Sequence, residues 1–389
     1  MCPANRIPLY DIKLSKAAID ETVASLKSGW LTSGPKTVAF EEAIAARCRV
    51  RQAAAVSSAS FGLSLALYLA GTGVGSQVIT SPLTFIATTT AILNAGLEPV
   101  YCDIDPVTLN IDATKVSRKL TRKTRLILPI DIAGHPCDYA TLQTIAKDRQ
   151  IRIVSDSAHA FGALYRGKAI PHWTDISVYS FHATKNLTTG EGGAIVSRHS
   201  NWIERARRLA RHGIDRDAYM RKQGQHWSYD VPELGLKGNL SDILASVGLG
   251  ELTMFDRNQE KRRKIADRYR RNLAHLQDRI ELPTESPHCR SAWHLYIIKL
   301  HTGCLRLGRD QFIKAMARRA VECGVHYIPI PDFSAFRGSR ANFGKLPVMD
   351  DVAARVVTLP LYPSLSLSEV DLVCEAVESV IRRNIKRTR

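Results

Sequence analysis

No apolar run in this 389-residue chain approaches the roughly 20 residues that a membrane-spanning helix needs. The first residues, Met1-Cys2-Pro3-Ala4-Asn5-Arg6, lack the apolar core of a secretory signal. The pattern is that of a cytoplasmic protein with no membrane partner. Cysteine is present without a framework. The eight cysteines, at 2, 48, 102, 137, 289, 304, 323 and 374, form no Cys-x-x-Cys and have no neighbouring histidine pair, so they read as free thiols and no metal site is expected. Low-complexity segments and repeats are missing too. Aromatic residues are not interleaved with basic ones, and there is no helix-turn-helix or zinc signature, so a nucleic-acid partner is not expected.

Positive charge, by contrast, is in excess. The formal net charge is +17, and basic residues gather at 205–222 and 382–389. Such an excess attracts anions, whether nucleic acid, membrane lipid or a diphosphate substrate. The second cluster reads as a solvated helix end.

Helix and strand patterns alternate through about residue 200, the signature of an α/β protein. Helices are expected at 16–27, 38–48, 60–70, 85–94 and 139–148. Strands are expected at 53–56, 77–80, 99–103, 125–132, 151–155, 175–181 and 194–196. Together they predict a mostly parallel sheet covered on both faces. After a long helix around 249–273 the pattern changes. Strand-like 294–300 and 325–329 alternate with helical 309–323 and 367–383, a smaller C-terminal α+β domain. The expected division is 1–248 and 249–389.

One stretch stands out: Ser180-Phe181-His182-Ala183-Thr184-Lys185-Asn186-Leu187-Thr188-Thr189-Gly190-Glu191-Gly192-Gly193. It isolates a lysine among small and polar residues between two strands, where function tends to sit. A lysine there can form a Schiff base with an aldehyde cofactor, or be a plain surface lysine. Asp156 bears on the choice. It ends the run Ile151-Arg152-Ile153-Val154-Ser155, and an unpartnered carboxylate at the end of a buried strand would take up a proton. A protonated pyridine nitrogen is a suitable partner, and keeping that nitrogen cationic makes pyridoxal phosphate an electron sink. The alternative is an acid that caps a following helix through Ser157.

An acid at a strand end followed by a Ser-x-x-x-x-Lys lysine resembles the fold-type I pyridoxal phosphate aminotransferases, and the wording is similar to that of the DegT/DnrJ/EryC1/StrS family of sugar aminotransferases. The resemblance runs through Gly29-Trp30-Leu31-Thr32-Ser33-Gly34-Pro35, Ser81-Pro82-Leu83-Thr84-Phe85, Gly134-His135-Pro136, Arg211-His212-Gly213, Val325-His326-Tyr327-Ile328-Pro329 and Leu359-Pro360-Leu361-Tyr362-Pro363. It implies Lys185 and Asp156 as catalytic residues. Ala59, Ser60 and Phe61, where the family usually has Gly-Thr-Ala, would receive the cofactor phosphate together with Ser180, aided by the donors and dipole of a helix start. Phe85 would stack on the ring, and His159 would sit near its phenolic oxygen. Lys237 and Asn239 fall where many relatives carry Asn and Arg, on a loop that reaches the neighbouring subunit's phosphate. A homodimer with shared sites follows, and the Lys-x-Asn version resembles the aminotransferases of 4-amino-4-deoxy-arabinose type. Thr32, Ser33, Arg211, Arg216, His326 and Tyr327 are the implied substrate-binding residues.

The expected reaction is a two-stage transfer through the pyridoxamine 5′-phosphate form. L-glutamate is the implied donor, and a nucleotide-linked keto-deoxy sugar, 4-keto in the first instance, the acceptor. A cyclitol ketone would use the same catalytic set. A deoxygenating relative would carry histidine in place of Lys185. A non-catalytic regulator would have no need of Asp156, Ser180 and Lys185 together.

Overall fold

The computed structural model describes residues 6–224, 227–336 and 343–386. The reading of residues 1–5, with Cys2, and the last three residues of the basic tail, 387–389, lie outside the described residues.

In chain order the helices are α1 (Lys16–Ser28), α2 (Pro35–Cys48), α3 (Ala59–Leu69), α4 (Ile86–Asn94), α5 (Ala113–Val116), α6 (Tyr139–Arg149), α7 (Ser200–Leu209), α8 (Ala218–Gly224), α9 (Asp242–Leu252), α10 (Phe255–Leu273), α11 (Arg309–Ala317), α12 (Pro347–Ala353) and α13 (Leu367–Arg383). The strands of the main sheet are β1 (Gln52–Val56), β2 (Gln77–Thr80), β3 (Glu98–Tyr101), β4 (Thr124–Leu128), β5 (Arg152–Asp156), β8 (Ile176–Ser180) and β9 (Gly193–Ser197). They pair in the order β1-β9-β8-β5-β4-β2-β3, and only β9 runs against the rest. The two-residue strand β6 (Leu164–Tyr165) pairs with β7 (Lys168–Ala169) on one side and β11 (Cys289–Arg290) on the other, while β10 (Ile280–Glu281), β12 (Tyr296–Leu300) and β13 (Val356–Leu359) form another three-stranded sheet.

Alternate residues of the main strands enter different cores, as the two-residue side-chain period requires. Ala54, Val56, Val78, Leu126, Val154, Val178 and Ile195 pack under α3, α4 and α7. Their neighbours Ala53, Ala55, Tyr179, Ala194 and Val196 pack toward α2 and α9, and Ile79, Ile127 and Ile153 toward α6. Both faces are therefore covered, as the strand runs predict. The second sheet builds its own core with α10, α11 and α13, and Ile7 from the start of the chain joins it.

Three expectations at element level need correction. The helix expected around 249–273 is two helices, α9 and α10, parted at Thr253 and Met254. α9 stays against α1 and α2, whereas Ile265, Ala266, Tyr269 and Leu273 of α10 enter the second core, so the chain must turn between them. Residues 325–329 form no strand; only the bridge of Gly324 to Thr358 remains, and His326 and Tyr327 are drawn toward a cavity. Residues 318–323 are not helical, because Ala320 takes a left-handed φ of 58° and the helix stops at Ala317. The division proposed at 248/249 falls inside α9.

Seven cysteines are described and all are free. Among the described residues no helix is long and apolar enough to cross a membrane, and no cluster of histidine, cysteine and acidic side chains is placed to hold a metal.

Candidate active site

The parallel strands end together, and the loops beyond their carboxyl ends enclose a cavity of about 300 Å³, where open α/β sheets place ligands. Lys185 and Asp156 are both on its wall, as are Ala59, Ser60, Phe85, His159, Ser180, His326 and Tyr327. Residues far apart in sequence are gathered because β1, β5 and β8 deliver them to one edge of the sheet.

Asp156 is the last residue of β5 and is buried. No helix follows it. Its Oδ1 accepts from the Ala158 N–H at 3.1 Å, and its Oδ2 accepts from Thr88 Oγ1 at 2.6 Å. Since Thr88 has a single hydroxyl proton, given to Asp156, the 3.0 Å contact between Thr84 and Thr88 has Thr84 as donor. Burial raises the Asp156 pKa, opposed by Thr88, by the Ala158 N–H and by the charge of Lys185. Lys185 lies in the connection from β8 to its antiparallel neighbour β9, with its N–H donating to His182 O at 2.9 Å. Burial pulls its amine down to about 8, and Asp156 pulls the other way. A buried acid and a half-buried amine thus share one low-dielectric space, each leaving the other only partly compensated.

One end of the cavity is made by the start of α3. Ser58 caps this helix, accepting from the Phe61 N–H at 3.1 Å, and the Ala59 and Ser60 N–H groups belong to the first turn, which has no helical acceptors. Gly193 lets β9 pass close by: a Cβ there would lie 2.8 Å from Ala59 N and 2.7 Å from Tyr179 O. Phe85, just before α4, is 57% exposed. Its ring is not core packing; it offers a bare apolar face to the cavity, 6.2 Å from the Tyr327 ring.

His159 accepts the Ala133 N–H on Nδ1 at 3.2 Å. Its proton therefore sits on Nε2 and is donated to Tyr327 Oη at 2.7 Å. Burial and nearby Lys185 keep its pKa well below the usual range, so the ring is neutral and the Tyr327 proton is left for another acceptor. His326 contacts Tyr10 Oη at 2.7 Å and Thr358 Oγ1 at 2.8 Å, and burial holds its pKa down to about 4.

The remaining expected residues lie elsewhere. The Phe61 ring covers Gly238. Asn239 bonds Ser33 and Lys237, and Arg211 is salt-bridged to Asp217. Ser33, Arg211 and Asn239 line a different cavity, of about 390 Å³, together with Glu41 and Arg207. Thr32, Arg216 and Lys237 are exposed. Sequence reasoning missed Tyr10, Thr88 and His294. Thr88 carried a signal, since it follows Thr84 by one helical turn; Tyr10 and His294 carried none, because each reaches the cavity from a distant segment.

The residues present fit pyridoxal phosphate: a helix start for the phosphate, a flat apolar face for the ring, a buried carboxylate for the ring nitrogen and an amine of lowered pKa for the aldehyde. When bound, this group supplies an electron sink for a carbon that gives up its proton. Asp156 would hold the proton at the ring nitrogen. Lys185 Nζ would take a proton from the donor carbon and return it at the carbon receiving nitrogen.

The family model for DegT/DnrJ/EryC1/StrS aminotransferases matches residues 13–378. SpsC, a spore coat polysaccharide biosynthesis protein of Bacillus subtilis, is 35% identical over 375 residues, covering 95% of each chain. The UDP-4-amino-4-deoxy-L-arabinose–oxoglutarate aminotransferase of Shewanella sediminis is 32% identical over 381 residues, 95% of this chain and 98% of that one. Among solved structures, Spr1654 of Streptococcus pneumoniae, provisionally assigned as a sugar aminotransferase, superposes with a TM-score of 0.89 in its PLP form at 31% identity, covering 97% of this chain and 99% of that one. Its PMP form gives 0.90 at 32% identity, with the same coverage of 97% and 99%.

Proposed function

Because the chain belongs to the DegT/DnrJ/EryC1/StrS aminotransferase family, we propose that it moves an amino group from L-glutamate to a nucleotide-linked keto-deoxy sugar, with a 4-keto sugar as the first acceptor to try. That it is a pyridoxal phosphate-dependent sugar aminotransferase, related to enzymes of polysaccharide biosynthesis, is the premise. Donor, ring carbon and nucleotide are the proposal.

The observation that supports it is the meeting of Lys185 and Asp156 in one cavity whose far end is the α3 start. His326 and Tyr327 border the same space and are assigned to the sugar. Thr32 and Ser33 are assigned to the sugar as well, and Arg211 and Arg216 in the basic segment to the nucleotide. Arg211 is already paired with Asp217, so in this reading it steadies the segment while exposed Arg216 meets the diphosphate.

The working unit in this reading is a homodimer in which Lys237 and Asn239 complete the partner's cofactor site. Surface chemistry supports a second copy. Trp227 is 90% exposed and Leu234 86%, and Leu236 joins them next to Lys237. On α1, Ile19, Val23 and Leu26 lie along one exposed face. Apolar groups this bare mark contact surfaces.

The test is a panel of UDP-, dTDP- and GDP-linked 3-keto and 4-keto sugars, with glutamate as donor and mass-spectrometric detection of the amino sugar. An inosose runs alongside. Amination of the inosose alone would replace the nucleotide-sugar reading with the cyclitol one.

A further inference from the structure

Among the described residues four histidines stand on the wall of the cofactor cavity, at 159, 182, 294 and 326. In three of them both ring nitrogens are engaged. His159 accepts from Ala133 and donates to Tyr327, and His326 meets Tyr10 and Thr358. His182 meets Thr184 through Nδ1 and faces Glu191 with Nε2 at 3.7 Å. His294 differs. Its Nδ1 lies 3.1 Å from Asn186 Oδ1, and among the described residues its Nε2 has no partner.

The residue next to the lysine decides where the His294 proton sits. Asn186 donates through Nδ2 to Ala292 O at 2.6 Å, and a carbonyl only accepts. The amide therefore turns its oxygen to His294, so Nδ1 carries the proton and Nε2 keeps a bare lone pair. The ring is neutral, because burial, and after it the nearby charges with Lys185 first, hold its pKa well below the usual range. It is also fixed in place. Its backbone N–H donates to Ala133 O at 2.9 Å, and Arg262 of α10, only 4% exposed, donates to the carbonyls of Trp293 and His294 at 3.4 and 3.5 Å. His294 is itself buried, yet Nε2 is not sealed off from the cavity.

A lysine that takes up the proton of the donor carbon becomes an ammonium with three N–H groups in a low-dielectric space. Asp156 attracts it by charge, but the oxygens of that carboxylate already accept from Thr88 and from the Ala158 N–H. We infer that His294 is a positioning residue for Lys185: with its proton held on Nδ1 by Asn186, it offers Nε2 to the Lys185 ammonium whenever the lysine is free of the cofactor. The inference rests on Lys185 being the cofactor lysine, and adds what receives its proton-bearing form and what selects the tautomer that does so.

Competitive acetylation of cofactor-stripped protein, read peptide by peptide by mass spectrometry across the neutral and alkaline range, gives the titration midpoint of Lys185 without turnover. Around pH 8 the groups packed nearby do not titrate. Burial keeps His159, His294 and His326 neutral and Tyr10 and Tyr327 protonated, and Arg262, lowered to about 10, stays charged. A hydrogen bond to the ammonium favours the charged form. His294→Asn, which can still meet Asn186 but does not reach the cavity, should therefore lower the midpoint by about half to one pH unit. His294→Gln, which returns an acceptor at the Nε2 position, should restore it. Asn186→Leu, which leaves the ring free to carry its proton on either nitrogen, should give a partial fall, with no further fall when added to His294→Asn. An unchanged midpoint in folded His294→Asn, or an equal fall in His294→Gln, would overturn the inference. If His294→Asn does not fold, an unchanged midpoint in Asn186→Leu does so. Nitrogen-15 spectra of histidine-labelled wild-type protein decide without any variant: no imidazole protonated on Nδ1 alone would overturn it outright. Failure of the underlying reading looks different, since borohydride reduction of loaded protein would then mark a lysine other than Lys185.

Discussion

Lys185 and Asp156 hold each other's protonation state. Burial raises the acid and lowers the amine, and their mutual attraction limits both effects. Only the neutral amine attacks an aldehyde, and lowering its pKa from 10.5 to about 8 makes that form far commoner near neutrality than for a free lysine, though still the minor one at pH 7. Capture of pyridoxal phosphate by stripped protein, followed by absorbance, should therefore speed up as pH rises through about 8 and level off above; a rate still climbing near the ordinary lysine pKa would contradict this. Lys185→Ala should lose the yellow colour and all turnover, and borohydride should label no other lysine. Asp156→Asn should fold but lose activity by orders of magnitude, since an amide cannot hold a proton on the ring nitrogen. Near-normal transfer by that variant would remove Asp156 from its role. That these two residues stand at strand ends facing one cavity was legible in the sequence, because an acid at the end of an apolar strand and a lysine among small residues are local patterns. The burial of Arg262 was not: in sequence it sits in the run Lys261-Arg262-Arg263-Lys264, which reads as a solvated helix face, and only packing tells it from its neighbours.

Among the elements, α3 and β9 act as one device. The Ser58 cap frees the first-turn N–H groups, and Gly193 brings β9 against them. Gly193→Ala should push backbone against backbone, costing about 1–3 kcal/mol, and cofactor should leak on dialysis; an unchanged melting temperature with full retention would show that the contact relaxes freely. The main strands were readable from β-branched runs, and α13 matched its expected span, since Ser366 and Glu369 form a capping box that sequence alone announces. The break between α9 and α10 was hidden because no proline marks it and the nearby glycines, Gly248 and Gly250, are themselves helical; it is imposed by two cores pulling in different directions. Strand β13 escaped notice, being four residues long and paired with β12 from far along the chain.

For the molecule as a whole, the proposed dimer has a decisive assay. A Lys185→Ala chain mixed with a Lys237→Ala/Asn239→Ala chain, each impaired alone, should regain one intact site per mixed pair if the loop crosses to the partner. No recovery in demonstrably mixed dimers would confine each site to one chain. The assembly of a single chain also imposes an order in time. Leu9 N–H reaches Glu322 across 313 positions, and Tyr10 reaches His326 across 316, so a residue that shares a cavity wall with Lys185 waits for a histidine synthesised 316 residues later. At ribosomal speeds that wait is on the order of tens of seconds. Meanwhile β8, β9 and the lysine between them are already complete and local. A nascent chain thus carries Lys185 and its two flanking strands long before Tyr10 can dock, and the segment around Tyr10 is open to proteases until His326 emerges.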